Sequence, residues 1–434
     1  MQPTRQILYD SSMPGSSIAP SVLSFEEARH VVEREAGRGQ AGRREEVELL
    51  SADDRVLAQP VVADRDMPPF PRSTRDGYAI RTSDLAHVPT QLEVIGEIKA
   101  GENPDKIPAA IHSGQTVAIM TGAPVPSGAD AVVMVEYTSQ HGQHVEITKQ
   151  VVAGENIVPR GSEAQQGSLL IPPGTPLTDA AIALAASAGN SKVQVYKRPR
   201  VAVLTTGDEI VAIDTLPGPT QIRNSNSYSL AVQIHQAGGD PILLPIAPDE
   251  PGRLRELIEQ GLNHDLLLMT GGVSMGRYDL VEQVLSEMQA EFFFTGAKIQ
   301  PGRPVVFGKC PRGAVALARE NADIYFFGLP GNPVSTMVTF ELFARPMLEA
   351  LAGMSPRKLA FVHAKLKSEI KVKPGLKRFL PAILSGEFEN SQVELVAWQG
   401  SGDIAATARA NCYIVVGPDR ELVSPGDWVP VMIR

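Results

Sequence analysis

Short apolar runs that alternate with helical spacing constrain the fold of this chain more than any other feature. Between residues 199 and 350, four runs are nearly uninterrupted, as is typical of parallel strands buried on both faces. They are Arg200–Thr205, Ile242–Ile246, Asp265–Thr270 and Ile324–Phe327. Helical spacing covers Ser227–Gln236, Pro251–Gly261, Asp279–Met288 and Val334–Leu351. The alternation predicts a doubly wound α/β sheet whose binding crevice lies at the carboxyl ends of the strands.

Three of the predicted strands lead directly into loops suited to binding an anion. The loops span residues 205–209, 270–276 and 328–336. Glycine lets backbone N–H groups approach a ligand closely, hydroxyls add donors, and the third loop precedes a helix whose N-terminus favours phosphate or oxyanion. Any one loop could be a tight strand-to-helix turn, but three in one sheet favour convergence on a ligand. The candidate binding residues here are Gly271, Gly272, Ser274, Gly331, Asn332 and Ser335.

Four carboxylates accompany these loops. Asp208 and Glu209 belong to the first loop, Asp249 follows the second apolar run, and Asp279 follows the second loop. Hard oxygen ligands beside phosphate donors predict Mg2+ bridging a pyrophosphate, with Asp208, Glu209 and Asp279 as metal ligands. Each acid taken alone could instead cap a helix, and this alternative is strongest for Asp279.

Two basic segments are candidate sites for an anionic ligand. Lys298, Pro301 and Arg303 lie in a stiff loop over 296–304, and arginine binds tetrahedral oxyanions through two donors. Farther along, a spacing of two predicts one face of a strand carrying four lysines, and Lys377 and Arg378 follow. An edge strand that uses lysine to block pairing is the favoured interpretation over a nucleic-acid surface. The four lysines are Lys365, Lys367, Lys371 and Lys373.

The rest of the chain predicts further domains. Ser24 and Glu27 form a capping-box pattern before a helix, and a second helix is predicted over Thr178–Ser187. Between about Asp64 and Gly174, short β-branched runs separated by glycine and proline predict a β-rich domain. From about Pro356, the sequence predicts a small barrel or sandwich. Residues 1–21 have the composition of a flexible tail.

Composition narrows the functional classes. The 434 residues carry a net charge of −9, which argues against a general nucleic-acid binder, and no apolar stretch approaches the roughly 20 residues of a membrane span. Two cysteines in no zinc-like spacing agree with a reducing, cytoplasmic location. The Gly400–Ala405 segment matches a dinucleotide fingerprint but lies outside the βαβ region that this fingerprint requires.

Six ordered segments resemble the molybdopterin molybdenumtransferase family, which comprises the bacterial MoeA proteins and the E domain of gephyrin. The likeness runs from about Ser24 to the C-terminus. The segments are Arg75–Ala79, Met120–Pro126, Thr206–Glu209, Gly271–Gly276, Gln300–Pro304 and Gly328–Ser335.

The resemblance implies a multidomain architecture and a homodimer. The expected parts are a helical linking domain (22–62 and 168–197), a β-rich inserted domain (63–167), a doubly wound α/β molybdopterin-binding domain (198–350) and a C-terminal β-barrel (351–434). The implied substrates are adenylylated molybdopterin and molybdate, and AMP is released with the help of Mg2+ or Zn2+. A molybdopterin adenylyltransferase and apo-molybdoenzymes are the implied protein partners, while neither nucleic acid nor membrane is expected.

The resemblance also assigns roles to individual residues. Asp76 and Thr121 match positions of the inserted domain that line the partner subunit's cleft. Arg378 and Ser401 match polar positions of the barrel. The acids Asp208, Glu209, Asp249 and Asp279 are expected around the pterin and the metal. Molybdate is expected to contact Ser274, Lys298, the Pro301–Pro304 loop with Arg303, and Ser335.

Three positions depart from the family pattern. Arg75 stands where many members have Met, Glu163 where Asp is usual, and Gln300 where several members have Lys. The lost charge at Gln300 predicts weaker molybdate binding unless Lys298 substitutes for it.

Two other functions remain open. A pterin carrier or gephyrin-like scaffold would keep the fold without turnover, but retained acids beside phosphate loops favour an enzyme. A molybdopterin adenylyltransferase would share the α/β domain, and the additional β-rich domains argue against it.

Overall fold

A computed structural model describes residues 22–38, 42–272, 280–311, 323–355 and 358–433, so the predicted tail over 1–21 lies outside the described residues. The chain divides into two compact units. The larger unit comprises the described residues of 1–45, 54–58 and 194–434, and the inserted unit comprises 46–53 and 59–193. Within the described ranges, no helix is both long and apolar enough to cross a bilayer.

A six-stranded sheet organises the α/β part of the larger unit. Its first four strands run parallel, and the last two run antiparallel to their neighbours. Sequence reasoning did not predict these last two strands. Antiparallel neighbours need no crossover helix between them, so the alternation of strands and helices does not reveal them. The strand order is Asp240–Leu243, Arg200–Thr205, Leu266–Thr270, Ile324–Leu329, Val306–Cys310 and Glu291–Phe294.

Successive residues of the central strands face two separate cores. Val201 and Val203 point into one core, while Ala202 and Leu204 point into the other. Helices cover both faces, so the predicted doubly wound α/β sheet is confirmed. The first face packs Phe25–Ala36, Asn226–Gln236, Pro333–Thr339 and Arg345–Leu351, and the second packs Pro251–Gly261 and Leu280–Glu287.

The predicted capping box is also confirmed at the start of the first helix. The Ser24 side chain accepts from the Glu27 backbone, and the Glu27 carboxylate accepts from the Ser24 backbone N–H at 2.8 Å.

The predicted helix over Val334–Leu351 is interrupted by a π-helical segment, Phe340–Ala344. Pro346 has no N–H, so it cannot donate to the carbonyl of Leu342 one turn earlier. The guanidinium of Arg29 donates to that carbonyl instead, at 2.5 Å, and Arg29 itself is buried. This hydrogen bond joins helix Phe25–Ala36 to the interrupted helix. In a regular helix, the backbone N–H four residues later would already occupy the Leu342 carbonyl.

The inserted unit contains a mixed six-stranded sheet with an apolar core on each side. Gly77 is required at its centre, because a Cβ there would lie 1.9 Å from the carbonyl oxygen of Val133. Helix Asp179–Ser187 begins at Thr178, whose side chain caps it. The strand order is Ala131–Met134, Gly77–Ile80, Gln115–Ile119, Thr90–Ile98, His144–Ile147 and Thr138–His141. Two-stranded pairs add Val61–Val62 with Leu169–Ile171, and Arg72–Ser73 with Ile157–Val158.

Five strands close into the C-terminal barrel predicted from the sequence. They are Val362–Leu366, Lys377–Ser385, Gln392–Leu395, Cys412–Val416 and Trp428–Ile433. A short helix, Ile404–Arg409, is capped by Asp403, which accounts for the glycine-rich segment before it. The remaining short strands are Val22–Leu23, Arg44–Glu48, Lys192–Tyr196, Ile210–Val211, Ile222–Arg223, Gly296–Ala297, Ile299–Gln300, Ile370–Lys371 and Leu422–Val423.

The barrel overturns the interpretation of the four lysines as one edge strand. Val362–Leu366 is hydrogen-bonded on both sides, to Gln392–Leu395 and to Trp428–Ile433. Lys371 belongs to a different strand, which pairs with Leu422–Val423. The barrel strand that carries Lys365 has no free edge, so edge protection does not explain Lys365, and Lys371 lies on a two-stranded pair outside the barrel.

Candidate active site

The three glycine-rich loops meet in one cleft of about 370 Å³ at the carboxyl ends of the parallel strands. Their predicted convergence is confirmed. From the loops, the lining includes Thr206, Glu209, Gly271, Gly272, Gly331 and Asn332.

Backbone contact between the loops sets the shape of this cleft. Gly271 has φ +90°, and a Cβ there would lie 2.3 Å from the carbonyl oxygen of Thr206. A Cβ on Gly331 would lie 3.6 Å from the Cα of Gly271. The Thr206 N–H also donates to the Thr270 carbonyl at 3.0 Å. Side chains larger than hydrogen at Gly271 would therefore force the strand ends apart.

Two predicted acids are neighbours at the rim of the cleft, and a third lines it. The Asp208 carboxylate accepts a hydrogen bond from the Asp249 backbone at 3.1 Å, and both side chains are exposed. Gly207 has φ +137°, and a Cβ there would lie 2.5 Å from a Glu209 carboxylate oxygen. Glycine thus lets Glu209 fold back over the loop. Asp279 and Ser274 lie outside the described residues.

A buried polar cluster that sequence reasoning missed supports the inner wall. The Asn226 amide donates to Thr270 Oγ1 at 2.9 Å and to the Gly331 carbonyl at 2.8 Å. Beside it, Asn224 donates to Ser227 Oγ, which lies 2.7 Å from Thr205 Oγ1. The polar run Arg223–Ser227, just before a helix, was the available signal.

Two oxygens of this wall have no hydrogen-bond partner within the described part of the chain. They are Thr206 Oγ1 and Asn226 Oδ1, and their residues are 3% and 8% exposed. The Gly331 carbonyl can only accept, which fixes the Asn226 amide with its nitrogen toward Gly331 and leaves Oδ1 as an unused acceptor. Such groups cost stability unless a ligand or water donates to them. The cleft is therefore suited to a ligand that presents N–H or O–H donors.

A wider cavity of about 910 Å³ adjoins the cleft, and Pro304, Pro330 and Asn332 line both. It brings together six of the predicted binding residues, from the α/β part and from the barrel. These are Pro301, Arg303, Asn332, Ser335, Arg378 and Ser401. The barrel loop is held to the α/β part by a hydrogen bond of 3.0 Å from the Val334 N–H to the Ser401 carbonyl.

Arg378 is the main buried cation of this wider cavity. It is 6% exposed and donates to the Leu376 carbonyl at 3.2 Å. Burial lowers the pKa of its guanidinium. Among the described residues, no carboxylate forms an ion pair with it. A buried charge without a counterion favours an anionic ligand.

Lys298 has a different environment from the one its sequence suggested. It is not among the residues that line either cavity. Hydrogen bonds from the Ser24 backbone and side chain lower the pKa of Glu27, and the charge of Lys298 lowers it further. Lys298 therefore lies near the first helix, and its predicted contact with molybdate stays untested.

In the inserted unit, Asp76 and Thr121 form a tight pair. Asp76 Oδ1 accepts from the Thr121 backbone N–H at 2.6 Å and from its hydroxyl at 2.8 Å. These two bonds, the backbone one first, lower the pKa of Asp76. Asp76 lines a cavity of about 560 Å³ with Gly77, Tyr78 and Gln140. The pair thus presents a fixed, ionised carboxylate.

Of the three predicted magnesium ligands, Asp208 and Glu209 lie within the described residues, and the magnesium site itself stays a prediction. Within the described residues, no group of three His, Cys, Asp or Glu side chains is arranged to hold a metal. Mg2+ characteristically uses one or two carboxylates, several waters and substrate phosphates rather than a cage of protein ligands. Asp208 and Glu209 supply carboxylates of the kind that such a site needs.

Three family models match successive parts of the chain. The MoeA N-terminal region (domain I and II) matches residues 23–189, a probable molybdopterin binding domain matches 202–350, and the MoeA C-terminal region (domain IV) matches 363–433.

Whole-chain relatives agree with these matches. A molybdopterin molybdenumtransferase of a Nostoc species is 39% identical over 71% of this chain and 70% of its own length. The one from Bacillus subtilis is 31% identical over 90% of both chains. A crystal structure of the molybdopterin biosynthesis MoeA protein of Pyrococcus horikoshii covers 95% of this chain and 99% of its own, with 31% identity and a TM-score of 0.68.

The orphaned hydroxyl of Thr206 predicts an unusual stability effect. Replacing it by valine removes a buried group that has no partner, so Thr206→Val should leave the free energy of unfolding unchanged or raise it by about 1 kcal/mol. Thr270→Val is the matched variant. It removes a hydroxyl that donates to Pro330 and accepts from Asn226, and should lower the free energy of unfolding by about 1–3 kcal/mol. Urea unfolding of both variants measures the difference, and equal destabilisation would show that Thr206 is already satisfied.

The Asp76–Thr121 pair predicts a titration shift. Thr121→Val keeps the backbone donor but removes the hydroxyl, so the pKa of Asp76 should rise toward its ordinary value without reaching it. The lowered pKa means that the pair stabilises the fold above the unfolded-state pKa of Asp76, and that this contribution disappears as pH falls through the folded-state pKa. Carboxyl ¹³C NMR titration measures the shift. Thr82→Val, which removes a hydroxyl bound to Asp130 in the same unit, should leave Asp76 unchanged.

Proposed function

The chain belongs to the MoeA family of molybdopterin molybdenumtransferases, and from this membership we propose that it inserts molybdate into adenylylated molybdopterin with release of AMP. It is a transferase of molybdenum cofactor biosynthesis. The observation that carries the finer proposal is the junction of two cavities with different chemistry. Among the residues that the structure describes, one wall has unused acceptors, and the adjoining cavity has a buried arginine without an ion-pair partner.

The narrow cleft suits the pterin end of the substrate. A pterin ring presents amino and amide N–H donors, which the oxygens of Thr206 and Asn226 can accept. A ligand whose donors satisfy these buried acceptors binds more tightly than a ligand without such donors.

The wider cavity suits the tetrahedral oxyanion. Arg303 and Arg378 both line it, and guanidinium groups bind such anions through two parallel N–H donors. The Ser335 side chain lines the same cavity and can donate a further hydrogen bond. Molybdate held there lies next to the loop, Pro330–Asn332, that also borders the pterin cleft.

We assign the predicted acids to the substrate pyrophosphate. Asp208, Glu209 and Asp279 would hold Mg2+ or Zn2+, which when bound neutralises phosphate charge and polarises the P–O bond. Glu209 is positioned over its loop by Gly207, and Asp208 orients itself on the backbone of Asp249. Hydrolysis breaks one P–O–P link, water supplies the new oxygen, and AMP leaves.

We further propose that the protein acts as a homodimer in the cytoplasm, and that the inserted unit of one subunit completes the cleft of its partner. The support is the Asp76–Thr121 pair, an ionised carboxylate on a different compact unit from the loops of the cleft. The resemblance assigns this pair to the partner's site. The adenylyltransferase and apo-molybdoenzymes remain candidate partners.

A carrier or scaffold without turnover is the second candidate function. It would bind the pterin nucleotide tightly and would leave AMP attached. The fixed carboxylates of Asp76 and Asp208 favour the enzyme, because a scaffold gains nothing from them.

AMP release tests the proposal directly. Purified protein with adenylylated molybdopterin should release AMP only when Mg2+ and molybdate are both present, and should then activate a molybdenum-free apoenzyme. Glu209→Gln should lower the rate of release about 100-fold, because a carboxylate beside the pyrophosphate is lost. Glu256→Gln is the control, since Glu256 is exposed and pairs with Arg253. Tight binding without release in the unmodified protein would leave a carrier.

Subunit mixing tests the shared site. Asp76→Asn and Glu209→Gln should each be inactive alone. If one site uses Glu209 from one subunit and Asp76 from the other, mixed dimers contain one intact site, and random mixing should restore about a quarter of the activity. A site built within one chain would stay inactive after mixing. Each variant remixed with itself controls for the exchange procedure.

A further inference from the structure

The two adjoining cavities differ in charge. In the narrow cleft, Arg223 and Glu209 are the charged lining residues, and their charges cancel. The wider cavity is lined by four cations and one carboxylate, which gives a net charge of +3. The cations are Arg303, Lys371, Lys373 and Arg378, and the carboxylate is Glu369. Two of these cations, Lys371 and Lys373, come from the lysine-rich segment between residues 365 and 377.

The other lysines of that segment have contacts elsewhere. Lys365 lies 5.5 Å from the centre of the Trp428 ring, and Lys367 lies 3.7 Å from Glu394. Lys377 is bound to Glu26 and covers the Phe25 ring. Only Lys371 and Lys373 among the five lysines line the cavity. The segment that follows the first barrel strand therefore contributes two lysines to the anion cavity.

These two lysines differ in how far their charge is compensated. Lys371 Nζ lies 2.8 Å from the Glu369 carboxylate, which raises the pKa of Lys371. Lys373 forms no ion pair among the described residues. Both lysines are exposed, whereas Arg378 is buried in the same cavity. The lysines thus form an outer layer of positive charge, and Arg378 forms an inner one.

The segment 300–303 of the α/β part contributes one positive charge to the wider cavity. Gln300, Pro301, Gly302 and Arg303 all line the cavity, and Arg303 is their only cation. Gln300 is neutral, and its backbone pairs with that of Arg378. The additional positive charge of the cavity comes from the barrel side.

We propose that Lys373, with Lys371 beside it, is an outer anion-binding residue that draws a tetrahedral dianion toward Arg378 and Arg303. The identification of that dianion as molybdate rests on the proposed function. An exposed lysine acts through a field that salt screens, because the Debye length falls from about 30 Å at 0.01 M to about 8 Å at 0.15 M. Its contribution should therefore be largest at low ionic strength.

Calorimetric titration of the full chain with molybdate tests this role. At an ionic strength of about 0.02 M, Lys373→Gln should raise the molybdate Kd about three- to tenfold, and the factor should fall toward one at about 0.5 M KCl. Lys373→Arg should keep the affinity of the unmodified protein, since it keeps the charge. Gln300→Lys added to Lys373→Gln should restore affinity by returning a cation to the same cavity.

Lys367→Gln is the matched control, because Lys367 is an exposed lysine of the same segment outside the cavity. It should leave the molybdate Kd unchanged. An unchanged Kd for Lys373→Gln at low salt, an equal change in Lys367→Gln, or undetectable molybdate binding by the unmodified protein would each overturn the proposal.

The binding measurement separates this inference from the proposed function. Molybdate binding that depends on Lys373 in a protein that releases no AMP would refute the transferase and keep the anion site. Normal AMP release with an unchanged molybdate requirement in Lys373→Gln would refute the role of Lys373 and keep the transferase.

Discussion

The close backbone contact of three strand ends is the constraint on which the site depends. Gly271 approaches Thr206 so closely that no side chain fits between them, and Asn226 joins the neighbouring Thr270 and Gly331 through one amide. Moving the loop of Gly271 would break contacts with both of the other loops. The rigid sheet therefore fixes the loops at a separation that leaves a cleft. The residues that join the loops also form the polar inner wall of this cleft.

Stability is given up at this site in two places. Within the described ranges, Thr206 and Asn226 each bury an oxygen without a hydrogen-bond partner, and Arg378 buries a cation without a paired carboxylate. Each feature costs folding free energy unless a ligand compensates it. A neutral ligand could satisfy the first pair and an anion the second. The two cavities share Pro330 and Asn332 in their linings, which favours a ligand with both characters.

Sequence reasoning reached the features that local patterns encode. Strand Arg200–Thr205, helix Pro251–Gly261 and the capping box at Ser24 follow directly from periodicity and capping. It missed the antiparallel strand Val306–Cys310 and the role of Asn226, because both depend on partners distant in the chain. The spacing of the lysines suggested one strand, but Lys365 lies in a barrel strand and Lys371 in a separate two-stranded pair.

The proposed metal site, with few protein ligands, would have a thermodynamic consequence. If Asp208 and Glu209 hold Mg2+ together with substrate phosphates, the metal gains most of its ligands only after the nucleotide binds. By linkage, the metal must then raise nucleotide affinity by the same factor by which the nucleotide raises metal affinity. Release of AMP removes a phosphate from the site. The metal and the remaining pterin phosphate then bind more weakly. Such a site binds tightly before hydrolysis and loosely after it, without requiring a movement of the protein.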